Sequence, residues 1–407
     1  MTRTLFTGGQ VFDTRTAGAA PADLVIEDSR IVEVGQNLDG DESIDVSGRT
    51  ILPGLFDCHT HVVFSHIDIW KLIQQPFSYR FYEAEKNLRA TLETGITSVR
   101  DAGGADLGMK QALVDGLISG PRMQISIRML SQTGGHGDEW LPSGALAAMF
   151  VEYPGSPEAL VDGPEEMRRK VRELIRNGAD VIKVATSGGV LSPRDDPRHA
   201  HFRMDELEVL VSEATAAGIW VMAHAQATEG IKNAIRAGIR SIEHGVYLDD
   251  EAVSMMLEKG TYLVPTLVAP QGVISAAEAG AQIPEASLAK AKEVVEIHRE
   301  SFRKAVEAGV KVAMGTDSGV TPHGENLREL SLMVEGGMSP GQAIVATSAT
   351  AAELMGVQDE LGSLEPGKRA DLVIVEGDPF DVKTLAERIE VVYKDGERVI
   401  DRTSADS

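Results

Sequence analysis

The strongest constraint on the fold is a repeated alternation between short apolar runs and longer amphipathic stretches. Eight apolar runs of strand length follow one another along the chain: Ile51–Val63, Ile96–Val99, Gln124–Leu130, Asp180–Ala185, Ile219–Ala223, Arg240–Ile242, Thr261–Val264 and Val310–Met314. Stretches with helical periodicity lie between them, for instance Pro164–Asn177, Met204–Ala217, Glu229–Ala237 and Leu288–Ala308. Eight such units over roughly 300 residues predict an α/β protein with a parallel (β/α)₈ TIM-like barrel. An open doubly wound sheet is the alternative, but no G-x-G-x-x-G follows an early strand.

Both ends of the chain depart from this pattern and consist of short strands broken by turns. The N-terminal strands are predicted at Thr4–Phe6, Gln10–Phe12, Leu24–Glu27, Arg30–Val34 and Ser43–Val46, and the C-terminal ones at Ala370–Glu376, Ile389–Lys394 and Arg398–Ile400. Each set is small for an independent domain. We therefore expect residues 1–57 and 361–407 to form one small β-sandwich beside a catalytic barrel of residues 58–360.

Metal-ligand side chains stand where the predicted barrel strands end. His59 and His61 close the first strand and, being two residues apart, face the same way. His224 ends the fifth strand, His244 the sixth, and Asp317 follows the eighth. An isolated His-x-His is a weak signal, but the C-terminal strand ends of a barrel meet at its active site. Nitrogen and oxygen ligands together suit a divalent ion such as zinc.

Lys183 is a charged group inside the apolar run DVIKVATSGG of the fourth strand. A lysine is rarely buried without compensation. An amine that has captured carbon dioxide becomes a carbamate, which is anionic and able to bridge two metal ions. A carbamate on Lys183 would therefore explain its position among the other candidate ligands.

This series of side chains on eight strands, with a β module from both termini, resembles the two-metal form of the amidohydrolase superfamily. The segments LSQTGGHGD, SVRDAGGAD, SIEHG and ELGSLEPGKRADLVIVEGDP are most similar to the imidazolonepropionase-related branch, which contains prolidase-like and Xaa-Arg dipeptidases. The resemblance implies hydrolysis of an amide, either the peptide bond of a dipeptide such as Xaa-Pro or that of an N-acyl amino acid.

The resemblance also implies a mechanism. His59, His61 and Asp317 would hold one metal ion, His224 and His244 a second, and the Lys183 carbamate and a hydroxide would bridge them. Zinc is the default ion, with manganese, cobalt and iron compatible with the same ligands. Hydroxide attacks the polarised carbonyl, and Asp317 acts first as general base and then as general acid toward the leaving nitrogen.

Other polar residues near the strand ends are candidates for substrate binding. His136, in the Gly-flanked turn after the third strand, is expected from the resemblance to contact the carbonyl or a substrate carboxylate, or simply to bond its own loop. Gln226 stands two residues past His224, where some prolidase-like relatives carry an aromatic residue. Tyr247, His323 and Arg198 are further candidates in the following loops.

Two more features invite a structural interpretation. Arg100 and Asp101 end the second strand, and a buried salt bridge beneath the site is favoured over a substrate clamp. The segment Trp140–Glu158 is rich in Pro and Gly and suggests a lid or an oligomer contact.

Alternative functions remain open. The same ligands would serve a hydrolase of aryl amides, ureas, carbamates or lactones, including mycotoxin-type substrates, or a phosphotriesterase-like enzyme. A mononuclear deaminase would need a glutamate where this chain has Ala227 and would not need Lys183. A non-catalytic scaffold is a different class, disfavoured because every ligand position is filled.

Charge and cysteine content restrict the partners. With 39 Lys and Arg against 62 Asp and Glu, the net charge of −23 disfavours nucleic acid and anionic membranes, leaving small molecules as partners. The single Cys58 excludes an internal disulfide framework, and the N-terminal stretch lacks the apolar core of a signal peptide. We expect a cytoplasmic protein, and the resemblance implies a homo-oligomer.

Overall fold

A computed structural model describes residues 2–141, 143–147, 149–192 and 194–403. Its N-terminal part is a run of short strands. They are β1 (Arg3–Thr7), β2 (Gln10–Asp13), β3 (Gly18–Pro21), β4 (Asp23–Glu27), β5 (Arg30–Gly35), β6 (Glu42–Asp45) and β7 (Arg49–Pro53). Five of them overlap the predicted N-terminal strands, β7 overlaps the start of the predicted run Ile51–Val63, and β3 was not predicted.

Eight parallel strand segments form the central part of the chain. They are β8 (Leu55–Thr60), β9 (Ile96–Asp101), β10 (Arg122–Ile125), β11 (Met129–Leu130), β12 (Val181–Ala185), β13 (Trp220–Ala225), β14 (Ser241–His244) and β15 (Tyr262–Val264). Their order is β10-β9-β8 in one sheet and β11-β12-β13-β14-β15 in a second. Because β10 and β11 are two halves of one predicted strand, interrupted at Ile127 with φ 68°, this strand connects the two sheets.

The other connection between the sheets is the segment predicted as the eighth strand, residues 310–314. It is not a regular strand in the structure, and its one bridge joins Val312 to Leu263. Backbone hydrogen bonds nevertheless run from Ala313 N to Leu263 O (3.0 Å) and from Cys58 N to Met314 O (2.9 Å). The segment therefore lies between β15 and β8 and takes the eighth place in the barrel.

Helices connect and cover these strands. They are α1 (Ile69–Gln74), α2 (Tyr79–Leu92), α3 (Leu107–Val114), α4 (Pro164–Arg176), α5 (Met204–Ala216), α6 (Thr228–Ala237), α7 (Asp250–Lys259), α8 (Val268–Glu278), α9 (Glu285–Ala308), α10 (Arg328–Glu335), α11 (Pro340–Ala346) and α12 (Ala349–Leu354). In α4 the buried Met167, Val171 and Leu174 recur at helical spacing, and this apolar stripe packs on the barrel core. No helix in the described ranges is long and apolar enough to cross a membrane.

The C-terminal strands β16 (Leu372–Glu376), β17 (Ile389–Lys394) and β18 (Glu397–Asp401) complete a β-sandwich with the N-terminal ones. One sheet has the order β5-β4-β1-β6 and the other β18-β17-β16-β7-β2-β3. Their shared core includes Phe6, whose ring meets that of Tyr393 edge-on at 5.3 Å. The predicted fold, a barrel with a sandwich built from both termini, is confirmed.

The run Ile51–Val63, which was predicted to lead through a Pro-Gly turn to the two histidines, is divided at that turn. β7 belongs to the sandwich and pairs with β16, whereas β8 belongs to the barrel and pairs with β9. The break falls at Gly54, where a Cβ atom would lie 2.3 Å from the Thr97 hydroxyl oxygen. Pro53 and Gly54 thus turn the chain from one module into the other.

Candidate active site

One cavity opens at the carboxyl ends of the barrel strands, with a free volume of about 1270 Å³ that includes its mouth. All six candidate metal ligands line it: His59, His61, Lys183, His224, His244 and Asp317. They come from β8, β12, β13, β14 and the loop after residue 314. Their common location follows from parallel strands, because equivalent ends of such strands meet at one face.

The carboxylate of Asp317 lies between the two histidines at the end of β8, His59 within the strand and His61 just after it. Its Oδ1 atom is 3.4 Å from His59 Nε2 and 3.2 Å from His61 Nε2. Burial opposes ionisation of this group, but the two imidazoles outweigh it and hold the pKa of Asp317 well below its ordinary value. Asp317 is therefore an ionised carboxylate, the form that can bind a metal ion or accept a proton.

Each imidazole of β8 is oriented by a partner outside the cavity. His59 Nδ1 lies 2.7 Å from Glu243 Oε2, and His61 Nδ1 lies 2.8 Å from the carbonyl oxygen of Gly103. Because these acceptors require an N–H at Nδ1, Nε2 of a neutral ring carries the lone pair. In that neutral form, which a metal ion would require, both Nε2 atoms face Asp317; the lowered pKa of Asp317 belongs to the form in which the rings are cationic.

The histidines of β13 and β14 are held in the same manner. His244 Nδ1 is 2.7 Å from the Thr266 hydroxyl, whereas His224 uses Nε2, 3.1 Å from the carbonyl oxygen of Gly188. Their rings are 4.6 Å apart between centroids. Ligand atoms of His59, His244 and Asp317 all lie within 4.8 Å of one another, so the cluster is compact enough to bind metal ions.

Backbone strain accompanies two of these side chains. His244 and Asp317 have φ of 71° and 60°, in the left-handed region that side chains rarely adopt. Such residues cost roughly 1–3 kcal/mol each and persist where the surrounding structure fixes them. The strain accords with a functional constraint on the direction of both side chains.

Lys183 is almost completely buried, at 1% exposure, and its Nζ lies 3.3 Å from His59 Nε2. Burial is the main cause that lowers its pKa to about 8. A substantial fraction of the amine is therefore neutral in mildly alkaline solution. Only the neutral amine can add to carbon dioxide, so the environment favours carbamate formation.

Beneath the ligands Arg100 forms a buried salt bridge, as predicted, but its partner Glu243 was not identified from the sequence. Glu243 accepts hydrogen bonds from Arg100 Nη2 (2.9 Å) and Ser241 Oγ (2.5 Å) through Oε1, while Oε2 faces His59. Burial opposes ionisation, but Arg100 and His59 prevail and lower the pKa of Glu243 to about 2. The only clue in the sequence was a glutamate directly before His244 within a buried strand.

The expected pairing of Arg100 with Asp101 was wrong. Asp101 instead accepts hydrogen bonds from the backbone N–H groups of Val62, Gly103 and Ala105. Successive residues on a strand face opposite sides of the sheet, so the side chains of Arg100 and Asp101 cannot pair with each other. Both are structural, as expected, but Arg100 acts through Glu243.

Glu243→Gln tests the outer partner of His59. The amide leaves the shape unchanged but removes the charge, so we expect metal affinity to fall by roughly 10–100-fold. Equilibrium titration of metal-free protein with Zn²⁺ against a competing chelator measures this directly. Ser241→Ala is the matched control, because it removes only a neutral contact; equal losses in both variants would contradict a specific role for the Glu243 charge.

His136 lies beside the ligand cluster, not apart from it. Its ring stacks on that of His224 at 4.2 Å, and Nδ1 is 3.1 Å from Asp195 Oδ2. Asp195 is itself buried near Lys290, 3.4 Å away. A side chain at Gly189 would collide with the His136 ring at 2.3 Å. The loop thus fixes His136 with Nε2 available to a substrate.

The remaining candidates separate into two groups. Gln226 lines the cavity, and its buried Oε1 has no hydrogen-bond partner. Tyr247, His323 and Arg198 are not among the cavity-lining residues. His323 Nε2 lies 3.1 Å from the carbonyl oxygen of Phe64 and braces that loop, and Arg198 is exposed and paired with Asp196. Their expected substrate contacts therefore have no support in the geometry.

Part of the segment predicted as a lid covers the cavity. Met149 and Phe150 line it, and the Phe150 ring meets that of Phe64 edge-on at 5.2 Å. Phe150 N donates to Glu139 Oε1 (3.0 Å), and the Arg128 guanidinium lies 5.3 Å from the Phe150 ring centre. The segment is thus held over the site by buried charged groups; residues 142 and 148 lie outside the described part.

Comparison with known proteins gives concordant matches. Ochratoxinase of Aspergillus niger is 38% identical over 395 residues, covering 91% of this chain and 81% of that protein. A solved Xaa-Pro dipeptidase with methionine bound in its active site has a TM-score of 0.88 at 35% identity, covering 98% of this chain and 100% of that one. A prolidase complexed with N-methylphosphonate-L-proline has a TM-score of 0.90 at 37% identity, with the same coverage.

The imidazolonepropionase of Geobacillus kaustophilus is a more distant relative, 25% identical over 370 residues that cover 82% of this chain and 76% of that protein. The relationship suggested by the sequence motifs is therefore confirmed. The profile of the Amidohydrolase family matches residues 50–400. The match spans the barrel and the sandwich strands β7, β16, β17 and β18, and the chain belongs to the Amidohydrolase family.

Proposed function

We propose that the protein is a two-metal hydrolase that cleaves the amide bond of a dipeptide or an N-acyl amino acid. The observation that carries this proposal is the convergence of six ligand-type side chains on one cavity, with every imidazole oriented by an outer partner. A structural cluster would not need four histidines each with one nitrogen kept free for the same space.

The donor set fits two divalent ions. His59, His61 and Asp317 would hold one, and His224 and His244 the other, with the Lys183 carbamate between them. Zinc is the default ion for these ligands. When bound, such ions lower the pKa of water and polarise a carbonyl group.

The protein's own groups supply the remaining steps. Asp317, ionised and facing both imidazoles of β8, accepts the proton of the attacking water and donates it to the leaving nitrogen. His136, fixed by Asp195, presents Nε2 to the substrate carbonyl or carboxylate. Phe150 and Met149 cover the site and limit the access of bulk water.

The similarities support this class of reaction but differ in substrate. The similarity to a prolidase and to a Xaa-Pro dipeptidase supports a peptide substrate. The ochratoxinase similarity favours a second candidate, hydrolysis of a non-peptide amide of the mycotoxin type, and the apolar cavity wall is compatible with it. Both candidates involve cleavage of a C–N bond at the same centre.

A hydrolysis screen tests the proposal. Purified Zn²⁺-loaded protein is incubated with Xaa-Pro, Xaa-Arg and Xaa-hydrophobic dipeptides, with their N-acyl counterparts, and with aryl amides, ureas, carbamates and lactones. We expect release of a free amino acid from the dipeptides, from their N-acyl counterparts or from both, detected by mass spectrometry. Turnover confined to lactones, with every amide intact, would refute amide hydrolysis.

A further inference from the structure

One side of helix α9 holds the chain segments at and after the ends of β12 and β14. Four of its side chains donate hydrogen bonds to main-chain carbonyl oxygens there: Ser287 to Leu191, Lys290 to Gly189, Ser192 and Asp195, His298 to His244, and Ser301 to Val246. Positions 287, 290, 298 and 301 lie on the same side of an α-helix, so α9 supports both segments together.

Lys290 holds the segment after β12 at several points. Its Nζ donates to Gly189 O at 2.6 Å, to Asp195 O at 3.1 Å and to Ser192 O, and it lies 3.4 Å from Asp195 Oδ1. The side chain is only 15% exposed, so these oxygens replace most of the water around the ammonium group. A buried cation requires such compensation, and the segment is therefore fixed to Lys290.

Asp195 connects Lys290 to the cavity. Its Oδ1 faces the ammonium group, whereas Oδ2 accepts from Gly189 N at 3.0 Å and lies 3.1 Å from His136 Nδ1. Burial opposes ionisation of this carboxyl, but His136 and Lys290 outweigh it and lower the pKa of Asp195. Asp195 is thus a buried carboxylate held between an ammonium group and an imidazole.

His136 depends on this carboxylate for its orientation. Its ring stacks on His224 at 4.2 Å between centroids, but a stack alone does not determine which ring nitrogen faces the cavity. The acceptor at Asp195 selects an N–H at Nδ1 and so directs Nε2 toward the cavity. A displacement of Asp195 would therefore turn or shift Nε2.

We propose that Lys290 is a positioning residue of the active site: it fixes Asp195, and through Asp195 it fixes His136 for its contact with the substrate. This inference rests on the proposed function and extends its machinery to α9. Removal of the ammonium group takes away the cation beside Asp195 and the shared donor of three loop carbonyls. Asp195 then has no fixed place, and His136 has no fixed orientation.

A double-mutant cycle tests the proposed route. We expect Lys290→Met alone to lower kcat/KM on the best substrate of the screen by about 10–100-fold, the order of loss that a misplacement of about 1 Å causes. His136→Ala loses one substrate contact but keeps the metal ligands, so it should retain measurable turnover. In that background Lys290→Met should change kcat/KM by less than about twofold, because the side chain it positions is gone.

The affinity for Zn²⁺ separates this role from general support of the loop. The carbonyl oxygen of Gly188 lies 3.1 Å from His224 Nε2, so a loop that merely loosened would weaken the metal site as well. Lys290→Met should instead keep its Zn²⁺ affinity, well short of the roughly 10–100-fold loss expected when a ligand loses its outer partner. Lys232→Met is the matched control, because Lys232 is also buried but pairs with Asp249 and Glu251; its kcat/KM should stay close to that of wild type.

Asp195→Asn tests the same link by a second route if Lys290→Met does not fold. It keeps the size of the side chain, removes its charge, and should likewise lose its effect on kcat/KM in the His136→Ala background. Equal losses in both backgrounds, or a fall in Zn²⁺ affinity as large as the fall in kcat/KM, would overturn the inference and leave amide hydrolysis intact. Failure of the wild-type protein to cleave any amide of the screen would overturn the proposed function and this inference with it.

Discussion

Asp317→Asn is expected to lower kcat by about 10²–10⁴-fold, the range typical of lost general acid–base catalysis. Asparagine keeps the size of the side chain but cannot accept the proton of water or donate it to the leaving nitrogen. In the structure Asp317 is ionised and within 3.4 Å of both imidazoles of β8, so no other carboxylate on the described cavity wall can replace it. Steady-state kinetics on the best substrate of the screen measures the change.

Asp138→Asn is the matched control for this loss. Asp138 lines the same cavity, but its oxygens accept backbone N–H groups of the loop. The control should retain activity within about tenfold of wild type, well short of a general acid–base loss. If Asp317→Asn kept near-normal kcat with its metal content intact, the proton-transfer role assigned here would be wrong.

Lys183→Met is expected to abolish the bridged metal pair and reduce activity by at least about 100-fold, since loss of an outer partner alone costs 10–100-fold. Methionine matches the buried volume but cannot form a carbamate. Metal quantification of folded protein should show the loss. Lys170→Met is the control, because Lys170 is also buried but pairs with Glu158 away from the cavity.

The carbamate adds a dependence on pH and bicarbonate to this prediction. Because the pKa of Lys183 is lowered to about 8, the neutral amine becomes more abundant as the pH rises from about 6 to about 8.5. At a fixed bicarbonate concentration, the activity that Zn²⁺ finally restores to metal-free protein, assayed at one pH, should therefore be higher after incubation at the higher pH. If reactivation of the wild-type protein depended on neither pH nor bicarbonate, this would argue against a carbamate.

Much of the fold could be predicted because the hydrophobic pattern specifies it locally. Strand β17 was predicted over the observed residues, and helices α4 and α5 within one residue, since their apolar faces repeat at the correct period. The segment 310–314 was wrongly predicted as a regular strand. An apolar run indicates that a segment is buried, but it does not show that its backbone forms regular hydrogen bonds with a neighbouring strand. The Pro-Gly turn at residues 53–54 was recognised in the sequence, whereas the close approach of Thr97 and Asp371 to Gly54 is seen only in the structure. The exact boundaries of the two modules stay a prediction.

The candidate site could be predicted as far as the ends of the barrel strands determine which side chains lie together. The six proposed ligands were chosen by residue type and position, and the structure brings them around one cavity; their role as ligands stays a prediction. The partners that orient them, Glu243, Gly103, Gly188 and Thr266, come from neighbouring strands and loops, and no local pattern identifies such contacts. The roles predicted for His323 and Arg198 stay predictions; these side chains do not line the cavity, and their loop conformations could not be derived from the sequence.

The most direct test of the account is a titration of metal-free, bicarbonate-equilibrated protein with Zn²⁺, following amide hydrolysis and bound metal together. The account predicts that activity rises until two metal ions are bound per chain and then stays constant, and that Asp317→Asn binds metal without comparable activity. Full amide hydrolysis by the metal-free protein, or a maximum at one ion per chain with no further gain, would contradict the two-metal mechanism.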